Sequence, residues 1–406
     1  MKTINHFYEN LEPLKSLTSK ALKDDILFFD IETTGLSKVK NHIYLIGCGY
    51  YTDKGLNIIQ WFAENENEEV LVINEFLGFS SSFKSLVNYN GKTFDIPFTT
   101  ERAKKYGLSF PEFESIDIYN AVKPLKKILS LSDTTQKTVE AFLGIKRTDK
   151  YNGGELIYVY QKYVKNALMI NSRSVEIKSS SPEFQNVISE QEINFDKLIL
   201  HNLEDVLNMH YISEITAYSE LIDTKVSFSS YEINNYTDYY GNTKEELIIY
   251  GEHTLNLPKT IKSFYSDESG LSYLLIISDN GNISVRLPIV KKCLKYFISN
   301  YKDYYYLINE DICVYKTMAS GVSKENRKNA TKENCYTKYN GCFVPLKCSK
   351  QFRNELSENE ILATQSIHIF KESYKSKMEY IRLDEITGFS NEILSCYLNS
   401  LVESFK

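Results

Sequence analysis

Three apolar strands in close succession constrain what the first half of this chain can fold into. The stretch ILFFDIETTGL (residues 26–36) predicts a buried strand, and residues 42–51 and 56–63 predict two more. Charged or turn-forming residues bound each segment and leave only short links between them. Three consecutive strands with such links predict an antiparallel meander.

Strands that alternate with helices follow the meander. Residues 67–83 and 96–108 have helical spacing, and the second of these helices is expected to stop at Gly107. Residues 85–90 and 113–122 predict two further strands. A meander followed by alternating helices and strands predicts an α/β domain in which a mixed sheet is flanked by helices.

The pattern changes twice more along the chain. Residues 135–144, 155–168 and 195–221 have helical patterns, whereas the polar, Ser-rich residues 171–190 predict an exposed loop. Short alternating strands begin after residue 222, so we expect a domain boundary near residues 222–228. We expect an N-terminal extension (residues 1–24), the α/β domain (residues 25–222) and a smaller α+β domain (residues 228–406). The sequence does not indicate the function of the α+β domain.

Composition and charge narrow the functional classes. The chain has 406 residues, of which 42% are apolar and 25% charged, and its formal net charge is −6. This balance is typical of globular proteins and gives no overall attraction to phosphate, so nucleic-acid contacts must come from local basic patches. No apolar run approaches the roughly 18 residues of a membrane span, and the N-terminal residues lack a signal-peptide core. We therefore expect a cytoplasmic protein.

The seven cysteines include no CxxC pair, which predicts reduced thiols rather than a disulfide framework. Cys335, Cys342 and Cys348 are close in sequence, yet their gaps match no familiar metal-ligand spacing. We interpret them as small apolar side chains, with a metal site as the less favoured alternative.

Two acids end the first buried strand. Asp30 and Glu32 are two residues apart, so both carboxylates point to the same side of a sheet. Two adjacent carboxylates repel each other unless a cation lies between them, and oxygen ligands favour Mg²⁺ or Mn²⁺. Taken alone the pair is a weak signal, because acids at a solvent-facing strand end are common.

Two further motifs carry acids. In NGKTFDIPF (residues 90–98), Gly91 allows a tight turn and Asp95 lies at a helix start, where an ordinary helix cap is the alternative interpretation. In HNLEDVL (residues 201–207), His201 and Asp205 are four apart and share one helix face. A lone histidine beside an apolar stripe is more often structural. The neighbouring Glu204 and Asp196 are expected to be surface charges.

Taken together, these three motifs resemble those of the DEDD superfamily of 3′-5′ exonucleases, which share an RNase H-like fold. Within that superfamily the sequence is most similar to the YprB-like family of RNase H-like domains, a resemblance that KTVEAFLGIKR (137–147) and GGELIYVYQKY (153–163) also support. The likeness extends over residues 25 to about 220.

The resemblance implies a centre with two divalent ions, Mg²⁺ or Mn²⁺. Asp30 would bridge the ions, Glu32 and Asp205 would complete the site of the ion that holds the attacking water, and Asp95 would hold the second ion. Such a centre suits phosphodiester hydrolysis, because one ion acidifies the water and the other stabilises the leaving oxygen.

His201 departs from the better-known patterns of the superfamily. In the superfamily a catalytic histidine usually lies five residues before the last aspartate, whereas a tyrosine usually lies four residues before it. His201 lies four residues before Asp205. We therefore expect His201 either to accept the proton of the attacking water or to orient that water. Asp117 is expected to support the site from outside. Asn90, Lys146 and Arg147 are the predicted substrate contacts, with Lys150 beside them.

The favoured function is a 3′-5′ exonuclease that acts on single-stranded or 3′-ended nucleic acid, with DNA preferred and DNA repair as the candidate process. An RNA-trimming exoribonuclease is the second hypothesis, because nothing in the motifs would sense a 2′-hydroxyl. A non-catalytic nucleic-acid-binding or partner-docking module is the third, although such a module has no physical need for four repelling acids. A helicase is a candidate partner, and no membrane association is expected.

Overall fold

The computed structural model describes five stretches of the chain, residues 1–172, 181–222, 224–267, 270–357 and 367–406. These residues form two compact units. The first unit comprises residues 1–126 and 131–219, and the second comprises residues 127–130 and 220–406. No helix among the described residues is both long enough and apolar enough to cross a membrane.

A six-stranded mixed sheet forms the centre of the first unit. Its strands, in chain order, are β1 (Lys2–Glu9), β2 (Ile26–Thr33), β3 (Ile43–Thr52), β4 (Gly55–Phe62), β5 (Ser85–Asn88) and β6 (Glu114–Asp117). They lie side by side in the order β1-β4-β3-β2-β5-β6. Strands β2, β3 and β4 pair antiparallel, as the meander predicts, whereas β2, β5 and β6 pair parallel. The predicted mixed sheet is therefore confirmed.

Helices cover both faces of this sheet. The α-helices in the described part of this unit are α1 (Lys15–Thr18), α2 (Glu69–Ser80), α3 (Asp95–Lys105), α4 (Ile118–Val122), α5 (Gln136–Leu143), α6 (Gly153–Ser172) and α7 (Pro182–Ile212), and α7 continues as a 3₁₀ segment, Ser213–Ile222. On one face Leu27, Phe29 and Ile31 of β2 pack in a core with residues of α2 and α3. On the other face, residues of β3 and β4 pack with α6 and α7. Alternation along β2 therefore turns Asp30 and Glu32 away from the first core.

The N-terminal segment is not the separate extension that the sequence suggested. Strand β1 pairs along its full length with β4, from Lys2 opposite Phe62 to Glu9 opposite Gly55, and is the edge strand of the sheet. An edge strand has one neighbour and stays largely solvent-exposed, so its polar residues conceal the strand pattern.

Two other predicted segments also differ from the structure. The strand expected at residues 113–122 ends at Asp117, whose carboxylate accepts a hydrogen bond from the Tyr119 amide at 3.1 Å and caps α4. The loop expected at residues 171–190 is helical from residue 182, because Ser181 caps α7 and Pro182 occupies its first turn. Residues 173–180 of that predicted loop lie outside the described residues.

The second unit is rich in β-structure, and its described residues also form three α-helices. Strands β7 (Ser227–Thr237), β8 (Thr243–Glu252), β9 (Ile261–Ser266), β10 (Ser272–Ile277) and β11 (Asn282–Pro288) form an antiparallel sheet in the order β7-β8-β11-β10-β9. A closed barrel contains β12 (Val290–Phe297), β16 (Tyr336–Leu346), β17 (Phe370–Lys371) and β18 (Glu379–Arg382), and a small sheet contains β13 (Tyr304–Leu307), β14 (Ile312–Tyr315) and β15 (Arg327–Asn329). The helices are α8 (Ser349–Ser357), α9 (Leu383–Ile386) and α10 (Asn391–Glu403). All seven cysteines are free thiols; Cys335 is buried and Cys348 is exposed.

Candidate metal centre and active site

The two acids of β2 lie opposite β3, on the face that α7 covers. Asp30 is paired with Gly47 and Glu32 with Leu45. Glu32 is buried, Asp30 is half-buried, and the Tyr44 hydroxyl donates a hydrogen bond to Glu32 at 3.4 Å. The strand thus holds both carboxylates at fixed positions under α7.

Gly47 allows α7 to approach this part of the sheet closely. A Cβ atom at Gly47 would lie 2.1 Å from Oδ1 of Asn202, on α7. In the space that remains, the Asn202 amide nitrogen donates to Oδ2 of Asp30 at 2.7 Å. Nε2 of Gln60 donates to Oδ1 of Asn202 at 2.8 Å, which fixes the orientation of the amide group. Asn202 was not predicted as a site residue, although this residue directly follows His201 in the sequence.

Asp95 reaches the same place from the first turn of α3. Its Oδ1 accepts a hydrogen bond at 3.2 Å from the backbone amide of Ile31, the residue between the two acids of β2. The carboxylate is buried, and Phe94 is the capping residue of the helix without a side-chain cap. The alternative of an ordinary helix cap therefore does not account for the position of Asp95.

His201 and Asp205 face the acids from α7. Nε2 of His201 lies 3.2 Å from Oδ2 of Asp205 and 3.5 Å from Oε1 of Glu32. The carboxylates of Asp205, Asp95 and Glu32 also lie close enough to Asp30 for their charges to act on it. The structure thus brings all five of the predicted catalytic residues together.

The proximity of these carboxylates alters their acidity. Burial, followed by the neighbouring carboxylates, raises the pKa of Asp30 well above its usual value. Burial also raises the pKa of Glu32 and that of Asp95 to about 7. The protein groups around the site therefore do not fully offset the negative charge that four ionised carboxylates would have.

A divalent cation fits this set of donors. Glu32, His201 and Asp205 each offer a ligand atom, and these three atoms lie within 4.8 Å of one another. Carboxylate oxygens and an imidazole nitrogen are donors that Mn²⁺ accepts, and the carboxylates alone suit Mg²⁺. Among the described residues, this is the one group of histidine, cysteine and acidic side chains placed to share an ion.

Asp149 is a site residue that the sequence interpretation missed. Nδ1 of His201 lies 2.6 Å from its Oδ2, and the side chain of Asp149 is almost completely buried. Burial alone would raise the pKa of Asp149, but hydrogen bonds from His201, the Tyr151 amide and Lys137 together lower it. A single aspartate in the polar stretch after Arg147 has no periodic or motif signal, so only the folded chain reveals it.

Arg147 occupies a different position from the one predicted for a substrate contact. Its side chain is 8% exposed, and Nη1 lies 2.6 Å from Oδ1 of Asp205 and 3.1 Å from Oε1 of Glu140. The guanidinium is thus engaged by acids of the site rather than free to bind phosphate, whereas Lys146 is exposed to solvent. Glu204 is also not the surface charge that the sequence suggested, because it accepts hydrogen bonds from the Thr148 and Asp149 amides at 2.8 and 2.9 Å.

Asp117 and Asn90 shape the loop that leads to Asp95. Asn90 has a left-handed backbone with φ of 64°, and its amide donates to Oδ1 of Asp117 at 2.8 Å. The Lys92 amide donates to the other oxygen of Asp117 at 3.3 Å. Asp117 therefore fixes the backbone of this loop, and the Thr93 hydroxyl donates to the side chain of Asn90 at 2.7 Å.

The first unit is similar to a known family. Residues 27–217, slightly less than half of the chain, match the model of the RNase_H superfamily. The mixed sheet with its flanking helices is thus an RNase H-like fold. No curated protein shows a significant match to the chain.

Solved structures with weak similarity to this chain include the following three. The family B DNA polymerase of the hyperthermophilic archaeon Pyrobaculum calidifontis is 14% identical, with 68% of this chain and 35% of the polymerase covered, and a TM-score of 0.29. NrnC of Brucella melitensis with bound Mg²⁺ is 11% identical, with 52% and 90% covered, and a TM-score of 0.23. E. coli exonuclease I in complex with a dT13 oligonucleotide is 9% identical, with 56% and 54% covered, and a TM-score of 0.25. This chain spans less than two thirds of the polymerase and of exonuclease I, and TM-scores this low carry no argument about function.

Proposed function

We propose that this protein is a divalent-metal-dependent 3′-5′ exonuclease that removes nucleotides from single-stranded DNA. The observation that carries the proposal is the convergence of four carboxylates and one histidine from three separate motifs at one end of an RNase H-like sheet. Their mutual repulsion has a physical purpose if cations bind between them. The match to the RNase_H superfamily supports the same class of chemistry.

Asp30, Glu32, Asp95 and Asp205 are the residues that would hold the ions. When bound, Mg²⁺ or Mn²⁺ would supply an acidified water molecule and compensate the charge of the leaving 3′ oxygen. Hydrogen bonds within the protein position three of these acids: the Asn202 amide holds Asp30, the Ile31 amide holds Asp95, and the Tyr44 hydroxyl contacts Glu32.

His201 is the group that would handle the proton of the attacking water. Its Nε2 faces Glu32 and Asp205 within 3.5 Å, and its other ring nitrogen is occupied by Asp149. An imidazole placed in this way can accept a proton from water or orient it, which contributes about 10² to 10⁴ to the rate of such reactions.

The preference for DNA and the 3′-5′ direction follow from the resemblance of the three motifs to the DEDD exonucleases. Both are tested with the purified full chain and four substrates: 5′-labelled and 3′-labelled single-stranded DNA, 5′-labelled RNA of the same sequence, and circular single-stranded DNA. Each is incubated with Mg²⁺, Mn²⁺ or EDTA.

The expected result is a metal-dependent ladder from 5′-labelled DNA, immediate release of a labelled mononucleotide from 3′-labelled DNA, and an intact circle. Faster degradation of RNA would instead favour the exoribonuclease. Cleavage of the circle would indicate an endonuclease, and binding without cleavage of any substrate would favour a non-catalytic module.

A further inference from the structure

The two ring nitrogens of His201 have different surroundings. Nε2 faces the acids of the candidate centre, 3.2 Å from Asp205 and 3.5 Å from Glu32. Nδ1 faces away from them and lies 2.6 Å from Oδ2 of Asp149. A hydrogen bond of this length to a buried carboxylate is charge-assisted and strong, so it orients the ring.

Asp149 is itself held in place by four other contacts, one of which is made by Nη2 of Arg147, 3.5 Å from its Oδ2. Its Oδ1 accepts from the Tyr151 amide at 3.0 Å, and its Oδ2 accepts from Nζ of Lys137 at 3.1 Å. Its backbone amide donates to Glu204 of α7 at 2.9 Å. The loop that carries Asp149 is thus tied to the same helix that carries His201.

We infer that Asp149 is a positioning residue that keeps a proton on Nδ1 of His201 and thereby leaves Nε2 as the ring nitrogen that serves the reaction. This inference rests on the proposed function for its catalytic consequence, but the position of the proton can be measured without it. Neither the sequence motifs nor the superfamily match assigns a role to Asp149.

The physical reason lies in the tautomers of imidazole. A neutral histidine carries one proton, and the nearer acceptor draws the proton to the ring nitrogen that it faces. Asp149 lies 2.6 Å from Nδ1, whereas Asp205 and Glu32 lie 3.2 and 3.5 Å from Nε2. An ionised carboxylate is acceptor-only, so Asp149 requires a proton on Nδ1 whether or not Nε2 is also protonated. Asparagine at this position could present its amide hydrogens and stabilise the opposite tautomer, with the proton on Nε2.

The competing interpretation gives Asp149 a structural role only, as a tie between its loop and α7. The two interpretations differ in one respect. If Asp149 acts through His201, Asp149→Asn has no further effect on the rate once His201 is replaced by alanine, because the effects of residues that act as a unit are not additive. A structural role predicts that the rate falls by the same factor in both backgrounds.

The first test is nuclear magnetic resonance of ¹⁵N-histidine-labelled, metal-free protein, with His201→Ala used to assign the resonances. In the wild type we expect a protonated Nδ1 on His201, with the proton bonded to a carboxylate. In Asp149→Asn at a pH where the ring is neutral, we expect the proton on Nε2. A wild-type His201 with a bare Nδ1 would overturn the inference, even if Asp149→Asn does not fold.

The second test is a kinetic double-mutant cycle with Mn²⁺ and single-stranded DNA. Asp149→Asn is expected to lower kcat about 100-fold with KM and the Mn²⁺ requirement nearly unchanged, and to add less than about 2-fold in the His201→Ala background. Asp196→Asn makes the same chemical change at an exposed position of α7 and serves as the control. Equal factors in both backgrounds would contradict the inference.

The two proposals fail in distinguishable ways. Inactive wild-type protein with a protonated Nδ1 would contradict the exonuclease and leave the positioning by Asp149 intact. Active wild-type protein with a bare Nδ1, or with full activity in Asp149→Asn, would contradict the positioning and leave the exonuclease intact.

Discussion

At the scale of single residues, His210 shows how one buried side chain makes stability depend on pH. The residue is 1% exposed, and its Nδ1 lies 2.6 Å from the hydroxyl of Tyr51. Burial lowers the pKa of His210 to about 4, from a usual value of 6.5. The unfolded chain therefore binds a proton at a higher pH than the folded chain does, and the folded state loses stability as pH falls from about 6.5 to about 4.

The expected contribution is a loss of about 2 kcal/mol in the free energy of unfolding between pH 7.5 and pH 5.0. His210→Gln, which keeps an acceptor for Tyr51, should lack this loss. Urea denaturation of both proteins in EDTA at the two pH values measures the difference. An equal change of stability in wild type and variant would show that His210 is not its source.

Single residues also mark the limit of prediction from the sequence. Asp30, Glu32, Asp95 and Asp205 stand in recognisable sequence motifs, and the structure brings them together. Asn202 and Asp149, which hold Asp30 and His201, have no such pattern because their partners are distant in sequence. Arg147 was expected at phosphate, yet burial beside Asp205 gives it acidic partners that only the folded chain supplies.

At the scale of elements, the docking of α7 on β3 depends on the absence of a side chain at Gly47. Gly47→Ala should push Asn202 away and break its hydrogen bond to Asp30, because the new Cβ would lie 2.1 Å from the amide oxygen. We expect a loss of about 1 to 3 kcal/mol in stability, measured by urea denaturation, together with at least 10-fold slower cleavage.

Gly78→Ala is the matched control for this substitution. Gly78 lies within α2, and a Cβ there would have no atom within 4 Å. Alanine is the better helix former, so this variant should be as stable as the wild type or up to about 1 kcal/mol more stable. A Gly47→Ala protein that matches it in stability and activity would refute the importance of the close helix approach.

Elements were predictable where hydrophobic periodicity was strong. The meander β2-β3-β4 and helices α2, α3, α5 and α6 occur where the pattern placed them. Strand β1 was missed because an edge strand is mostly exposed and keeps polar residues on both faces. The start of α7 was misread because Ser181 and Pro182, typical of loops, are also typical of the first turn of a helix.

At the scale of the whole molecule, the repulsion between the site acids should limit the stability of the metal-free protein. Mg²⁺ or Mn²⁺ at 100 times its dissociation constant is expected to add about 2.7 kcal/mol and to raise Tm by roughly 5 to 10 °C. EDTA should reverse the shift.

Asp30→Asn separates this effect from general salt stabilisation. The variant keeps an acceptor for Asn202 but removes one of the repelling charges, so its metal-free Tm should equal or exceed that of the wild type, and the shift with Mn²⁺ should largely disappear. Differential scanning calorimetry with Mn²⁺ and, as the ionic control, Na⁺ measures both. A full Mn²⁺ shift in Asp30→Asn would place the stabilising ion elsewhere in the molecule.

The central claim is that the acids at the end of β2 form the metal centre of a nuclease. The most direct measurement is the rate of nucleotide release from labelled single-stranded DNA by wild type, Asp30→Asn and Asp196→Asn, each with Mn²⁺ and with EDTA. We predict Mn²⁺-dependent release by the wild type and Asp196→Asn, and a rate at least about 1000-fold lower for Asp30→Asn. Equal release by Asp30→Asn and the wild type would contradict the claim.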